Sequence, residues 1–214
     1  TLNYNNSGGR LGLSYDVDIY GNIHGDQVNV NTGTAPVTVD QGGHGRIDAG
    51  NGDDKFEIST SDGHVVLNAG DGNNMVTVTN GSNNNSVTTG ANSDNVTVSG
   101  NFNYVHTGGN ADVVTVSNTN NTIYGGADKD TIRASANNNT IFGGGNGANA
   151  TDVNDKEDEI TVWSSSYVQG DNGADQITAT DSNTIYGDSD KYDPTGYGGR
   201  DTITARDSNH VYGG

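Results

Sequence analysis

The chain has no cysteine, so no disulfide framework can hold it together. Basic residues are scarce: nine Lys and Arg stand against 27 Asp and Glu, for a net charge of −18. That balance argues against nucleic acid and anionic membrane surfaces as partners, because a phosphate backbone demands the opposite sign. It points instead to cations. No apolar run is long enough to span a bilayer, and helical periodicity is missing along the whole length. The sequence also lacks HExxH, GxSxG and P-loop motifs and any His/Cys pair at useful spacing, so no enzyme is expected.

Apolar residues make up only 29% of the chain. Together with the charge, that composition is typical of disordered proteins. The apolar residues are not scattered, however, but fall into a repeating register. A solenoid buries a thin strip of side chains per turn and needs little apolar mass to build a continuous core.

The repeat is clearest over residues 125–142, which hold a Gly-rich turn, an Asp, a short strand, an Asn-rich turn and a second strand. With Asp130 as the reference, the equivalent positions are Asp26, Asp54, Asn74, Asp94, Asp112, Asp158, Asp175 and Asp201. The shortest spacings are 17, 18 and 20 residues, with three longer ones of 26 to 28. After each mark come apolar residues at alternate positions: Val28/Val30, Phe56/Ile58, Val76/Val78, Val96/Val98, Val114/Val116, Ile132/Ala134, Ile160/Val162, Ile177/Ala179 and Ile203/Ala205. Period two with β-branched residues defines a strand with one buried face. A second strand adds one inward residue per turn: Ile19, Ile47, Leu67, Val87, Val105, Ile123, Ile141, Val168, Ile185 and Val211.

The fold expected is therefore all-β, a parallel β-solenoid of about ten turns of 18–20 residues. Residues 1–18 are expected to form an N-terminal strand or cap and residues 19–214 a single solenoid domain. Insertions are expected at 31–46, 145–157 and 188–200. The last turn breaks off at Gly213-Gly214, so the expectation is that the protein continues into further domains or associates end to end.

The two edges of this solenoid differ in chemistry. On one, stacking brings the marks of adjacent turns within about 5 Å, where two carboxylates repel by roughly 3–4 kcal/mol at an effective dielectric near 20. Protonation or a cation must relieve this. Ca²⁺ is the best match to carboxylates mixed with backbone carbonyls. The preceding turn is rich in Gly, Asn and Asp, which tolerate a left-handed backbone. On the other edge stand Asn85, Asn103, Asn121, Asn139, Ser166, Asn183 and Asn209, a column able to hydrogen-bond from turn to turn.

Residues 49–57 (Ala-Gly-Asn-Gly-Asp-Asp-Lys-Phe-Glu), 125–133 and 170–178 resemble the nonapeptide G-G-x-G-x-D-x-U-x of the repeats-in-toxin (RTX) family, each copy with one departure. The resemblance implies a right-handed β-roll with Ca²⁺ between consecutive turns, in a secreted or cell-surface bacterial protein that folds on meeting external calcium. Carried over by position, it assigns the ligand role to Asp26, Asp54, Asp94, Asp112, Asp130, Asp158, Asp175 and Asp201, with Gly50, Gly52, Gly126 and Gly173 in the turns. Asn74 departs from the pattern and weakens the sites beside it.

The function read from this is a calcium-binding module with a structural or adhesive role, with a cell-surface glycan or protein as the candidate partner. A metal-free Asn-ladder adhesin is one alternative. An ice-binding solenoid is another, using the outward column Thr77, Thr97, Thr115, Thr161, Thr178 and Thr204. Tyr124 is expected to stack on Phe142, Tyr186 on Tyr212, and His44 on His64.

Overall fold

The computed structural model describes residues 17–20, 37–40, 45–48, 51–59, 64–145, 156–188 and 198–213. Strands β1 (Val17–Tyr20), β2 (Val37–Asp40), β3 (Gly45–Asp48), β4 (Lys55–Ser59) and β5 (Val65–Asn68) open the chain. They are followed by β6 (Met75–Val78), β7 (Ser86–Thr88), β8 (Asn95–Val98), β9 (Tyr104–Gly109), β10 (Val113–Val116), β11 (Thr122–Ala127) and β12 (Thr131–Ala134). The remainder are β13 (Thr140–Phe142), β14 (Glu159–Val162), β15 (Tyr167–Gln169), β16 (Gln176–Ala179), β17 (Thr184–Tyr186), β18 (Thr202–Ala205) and β19 (His210–Tyr212).

Even-numbered strands form one nine-stranded sheet, in order from β2 to β18, and odd-numbered strands form a ten-stranded sheet from β1 to β19. Every strand pairs in parallel with its equivalents in the adjacent turns, and the register is unbroken. Val96, Val114, Ile132, Ile160, Ile177 and Ile203 lie in one column, and Val105, Ile123, Ile141, Val168 and Ile185 in another. This is the parallel β-solenoid that the alternation implied. Seven turns, from β6 to β19, are described with both strands and the connection between them, fewer than the ten expected. Toward the N-terminus the described residues are mainly strands. No described helix is long and apolar enough to cross a membrane.

The inward columns of both sheets merge into one core running from Ile47 to Ile185, with Ile203 and Ala205 packed partly buried at its end. The core is built mostly from Val and Ile, whose stiff χ1 suits a pleated surface. Each fully buried Val or Ile contributes about 1.5–3 kcal/mol of transfer free energy, which is how so small an apolar fraction sustains the stack.

The strand stacked beneath β4 is β2, in which Val37 and Val39 align with Phe56 and Ile58. β2 lies within the stretch 31–46, which also contains the start of β3. Val37-Thr38-Val39 alternates as well as Val28-Asn29-Val30 does, and the local pattern cannot choose between them. Residues 1–16, Asp26, Val28, Val30, His44 and Gly50 lie outside the described residues, as do 146–155 and 189–197 of the other two insertions.

Candidate acidic edge

The marks Asp54, Asn74, Asp94, Asp112, Asp130, Asp158 and Asp175 are all buried, and Asp201 in the last turn is partly so. They are joined in a way that residue type alone did not reveal. The backbone N–H of each mark donates to Oδ1 of the mark in the next turn. The distances are 3.0 Å from Asp54 to Asn74, 2.7 Å from Asn74 to Asp94, 2.7 Å from Asp94 to Asp112 and 2.8 Å from Asp112 to Asp130. They continue at 2.7 Å from Asp130 to Asp158, 2.8 Å from Asp158 to Asp175 and 3.0 Å from Asp175 to Asp201. Repulsion between neighbouring carboxyl groups is thus offset by one backbone N–H bond to the mark of each turn.

The opposite edge is built on the same plan. The N–H of Asn85 donates to Oδ1 of Asn103, that of Asn103 to Asn121 and that of Asn121 to Asn139. Ser166 Oγ takes over for one turn before Asn183 resumes. The second atom of each amide is satisfied too. Asn121 Nδ2 donates to Asn118 O at 3.0 Å and to Asn139 Oδ1 at 3.3 Å, and Asn139 Nδ2 donates to Ala136 O at 2.9 Å. The turn-to-turn amide ladder expected here is present.

The edges part at that second atom. In Asp54, Asp94, Asp112, Asp130, Asp158 and Asp175 the Oδ2 oxygen is buried and has no hydrogen-bond partner. Asn74 shows what surrounds the position: its Nδ2 donates to the turn carbonyls Gly70 O at 2.9 Å and Gly72 O at 3.1 Å. An Asp in its place offers an acceptor to acceptors. Glycine packing tightens the arrangement. A Cβ on Gly143 would lie 2.1 Å from Asp158 Oδ2 and 2.4 Å from Gly170 O, so both oxygens crowd one point.

Burial therefore drives these carboxyls toward their neutral form. It raises Asp54 to about 6, Asp112 to about 7, Asp158 and Asp175 to about 8 and Asp130 to about 9, with the Asp158 charge adding to the effect at Asp130. Asp94 and Asp201 are also raised by burial. The Thr89 and Thr107 hydroxyls temper the effect at Asp94 and Asp112. In the structure, however, those hydroxyls donate to carbonyls of the next turn, Thr107 O at 2.6 Å and Gly125 O.

Of the turn glycines assigned from sequence, Gly52, Gly126 and Gly173 have φ of 143°, 116° and 123°. At the position of Gly52 and Gly173, other turns use Asn92, Asn110 and Asp128, each with φ between 72° and 81°. Among the described residues no three His, Cys, Asp or Glu side chains converge as a metal cluster. A cation on this edge would draw on few carboxylates and many carbonyls, the ligand chemistry of a hard ion such as Ca²⁺. Unpartnered buried oxygens facing carbonyls fit such an ion.

Sequence reasoning missed the column five residues before the mark: Ala69, Thr89, Thr107, Gly125 and Gly170, with Gly143 and Gly187 stacked in series with it. The switch from Thr to Gly along that column was the available signal.

The faces are occupied less regularly. On the first sheet, Arg133 pairs with Glu159 at 2.8 Å across the threonine column, and Trp163 projects into solvent. On the second, Tyr104, Tyr124, Phe142, Tyr167, Tyr186 and Tyr212 make a continuous run of ring contacts. The expected pairs Tyr124–Phe142 and Tyr186–Tyr212 are stacked at 4.7 and 4.6 Å.

Fold and edge together define a parallel β-solenoid with a repeating acidic turn. Residues 57–84 and 115–147 match the family model of the RTX calcium-binding nonapeptide repeat, in four copies. The matched segments include the copy at 125–133 and the turn of Asn74, while the copy at 170–178 and all but the last residue of the copy at 49–57 fall outside them. No curated protein and no solved structure matches the chain.

Proposed function

We propose that this chain is a calcium-binding β-roll module of a secreted or cell-surface bacterial protein, with a structural or adhesive role and no catalytic one, and that calcium drives its folding. The buried carboxylate oxygens without a donor carry this reading. The column Asp54, Asp94, Asp112, Asp130, Asp158, Asp175 and Asp201 is the candidate ligand set, with turn carbonyls such as those of Gly126 and Gly173. Bound calcium would supply the positive charge that these oxygens lack. The chain's own part is to fix Oδ1 by the ladder bond, leave Oδ2 free and aim carbonyls through the left-handed turn residues.

A metal-free solenoid is the second reading, favoured by one observation: both edges close complete backbone-to-side-chain ladders without an ion. Circular dichroism and thermal melting of the full chain at neutral pH and low salt decide between them. Ligand binding to the native state alone adds stability by mass action. Replacing calcium with EDTA is expected to reduce the β signal and lower the melting temperature steeply. An unchanged melting curve favours the metal-free ladder.

A further inference from the structure

The acidic edge is not uniform. In the turns ending at Asp130, Asp158, Asp175 and Asp201, the residue set against the carboxylate is Gly125, Gly143, Gly170 or Gly187. At each, a Cβ would fall within 2.5 Å of the Asp Oδ2, and at the first three it would also fall within 2.4 Å of the next turn's carbonyl oxygen. The nearest polar atoms at this point are a carboxyl and a carbonyl oxygen, with no hydroxyl or amide donor among them. The Oδ2 atoms of Asp130, Asp158 and Asp175 belong to wholly buried residues and have no partner.

In the turns ending at Asn74, Asp94 and Asp112 the same position carries a side chain: Ala69, Thr89 or Thr107, all buried. There the protein provides donors of its own. Thr89 Oγ1 donates to Thr107 O at 2.6 Å and Thr107 Oγ1 to Gly125 O, while Asn74 Nδ2 serves Gly70 O and Gly72 O. Oδ2 of Asp94 and of Asp112 lacks a partner as well. Yet a hydroxyl rotor stands in that turn, able to turn its proton from carbonyl to carboxylate.

We infer that the edge has two zones: over residues 69–112 the side chains of Asn74, Thr89 and Thr107 take the place of cations, and cation binding is confined to the glycine-lined turns over residues 125–201. The inference rests on the calcium reading above and narrows its ligand column to Asp130, Asp158, Asp175 and Asp201. Each turn contacts only its neighbours, so stability in a solenoid is local and two zones can respond separately. The first zone stays ordered when calcium is low and is the template on which the second assembles.

Hydrogen–deuterium exchange of the full chain, read by mass spectrometry in calcium and in EDTA, tests this. The expected result is that β6 and β8 keep their protection in EDTA while β14 and β16 lose it. Loss in all four strands together leaves the calcium reading standing and overturns the zoning. No change in any strand overturns the calcium reading itself, and the zoning with it. A second measurement uses Thr89→Gly/Thr107→Gly. Titration calorimetry with Ca²⁺ is expected to count more bound ions than in the parent chain, and exchange in EDTA to show new loss of protection in β8. An unchanged count in a variant that gives the parent's circular dichroism spectrum in calcium would overturn the zoning.

Discussion

The backbone N–H of Asp112 donates to Oδ1 of Asp130 at 2.8 Å, while Oδ2 of the same carboxylate, wholly buried, meets no donor. In Asp94, Asp112, Asp130, Asp158 and Asp175 one oxygen thus belongs to the fold, and the other is left in need of a proton or a cation.

Replacing that oxygen with an amide should remove the need. Asn74 already does so, through its two carbonyl partners. Asp158→Asn is expected to raise the melting temperature in EDTA and to reduce the number of calcium ions bound. Asn74→Asp is expected to lower the melting temperature in EDTA by the equivalent of about 1–3 kcal/mol, the usual cost of an unsatisfied buried group. Melting the two variants beside the parent checks both, and a higher melting temperature for Asn74→Asp in EDTA counts against the orphaned-oxygen account.

The calcium-free protein should prefer acid. Burial raises the folded-state pKa of Asp54 to about 6, Asp112 to about 7, Asp158 and Asp175 to about 8 and Asp130 to about 9. The unfolded values lie near 3.9, so the folded chain binds more protons than the unfolded one in the window between. Stability is then highest below about pH 4 and falls as pH rises through the folded values. In EDTA the melting temperature should be higher at pH 5 than at pH 8. The opposite order would mean that these carboxylates are not buried as described.

The amide edge should behave independently of metal. Asn121→Ala removes the acceptor for the Asn103 N–H and the donor to Asn118 O. A loss of about 1–3 kcal/mol is expected, since a buried amide is left unsatisfied, with the number of bound calcium ions unchanged. Calorimetric titration together with denaturant unfolding reads both quantities. A reduced calcium count would show that the two edges are coupled.

Close approach at Gly143 supplies a steric test. Gly143→Ala would place a methyl 2.1 Å from Asp158 Oδ2, whereas at Gly109 an added Cβ meets nothing within 4 Å. Overpacking of this kind costs typically about 1–3 kcal/mol. Gly143→Ala should therefore lower the melting temperature with or without calcium, and Gly109→Ala should leave it almost unchanged. Equal effects of the two substitutions would argue against the packing around Asp158.

The sequence by itself determined the solenoid, its inward columns and the composition of both edges. These follow from period-two alternation and a near-constant repeat, and each turn restates the same local rule: Val96, Val114 and Ile132 stand in one column because Asp94, Asp112 and Asp130 recur at intervals of 18. What the tertiary structure decided is which strand stacks where the interval lengthens, and which oxygen of each carboxylate is capped. Across the 28 residues between Asp26 and Asp54 two alternating pairs compete, and only pairing with β4 selects Val37 and Val39. The asymmetry of Oδ1 and Oδ2 arises between turns, from an amide below and a crowd of carbonyls beside it, and a linear pattern holds no record of either.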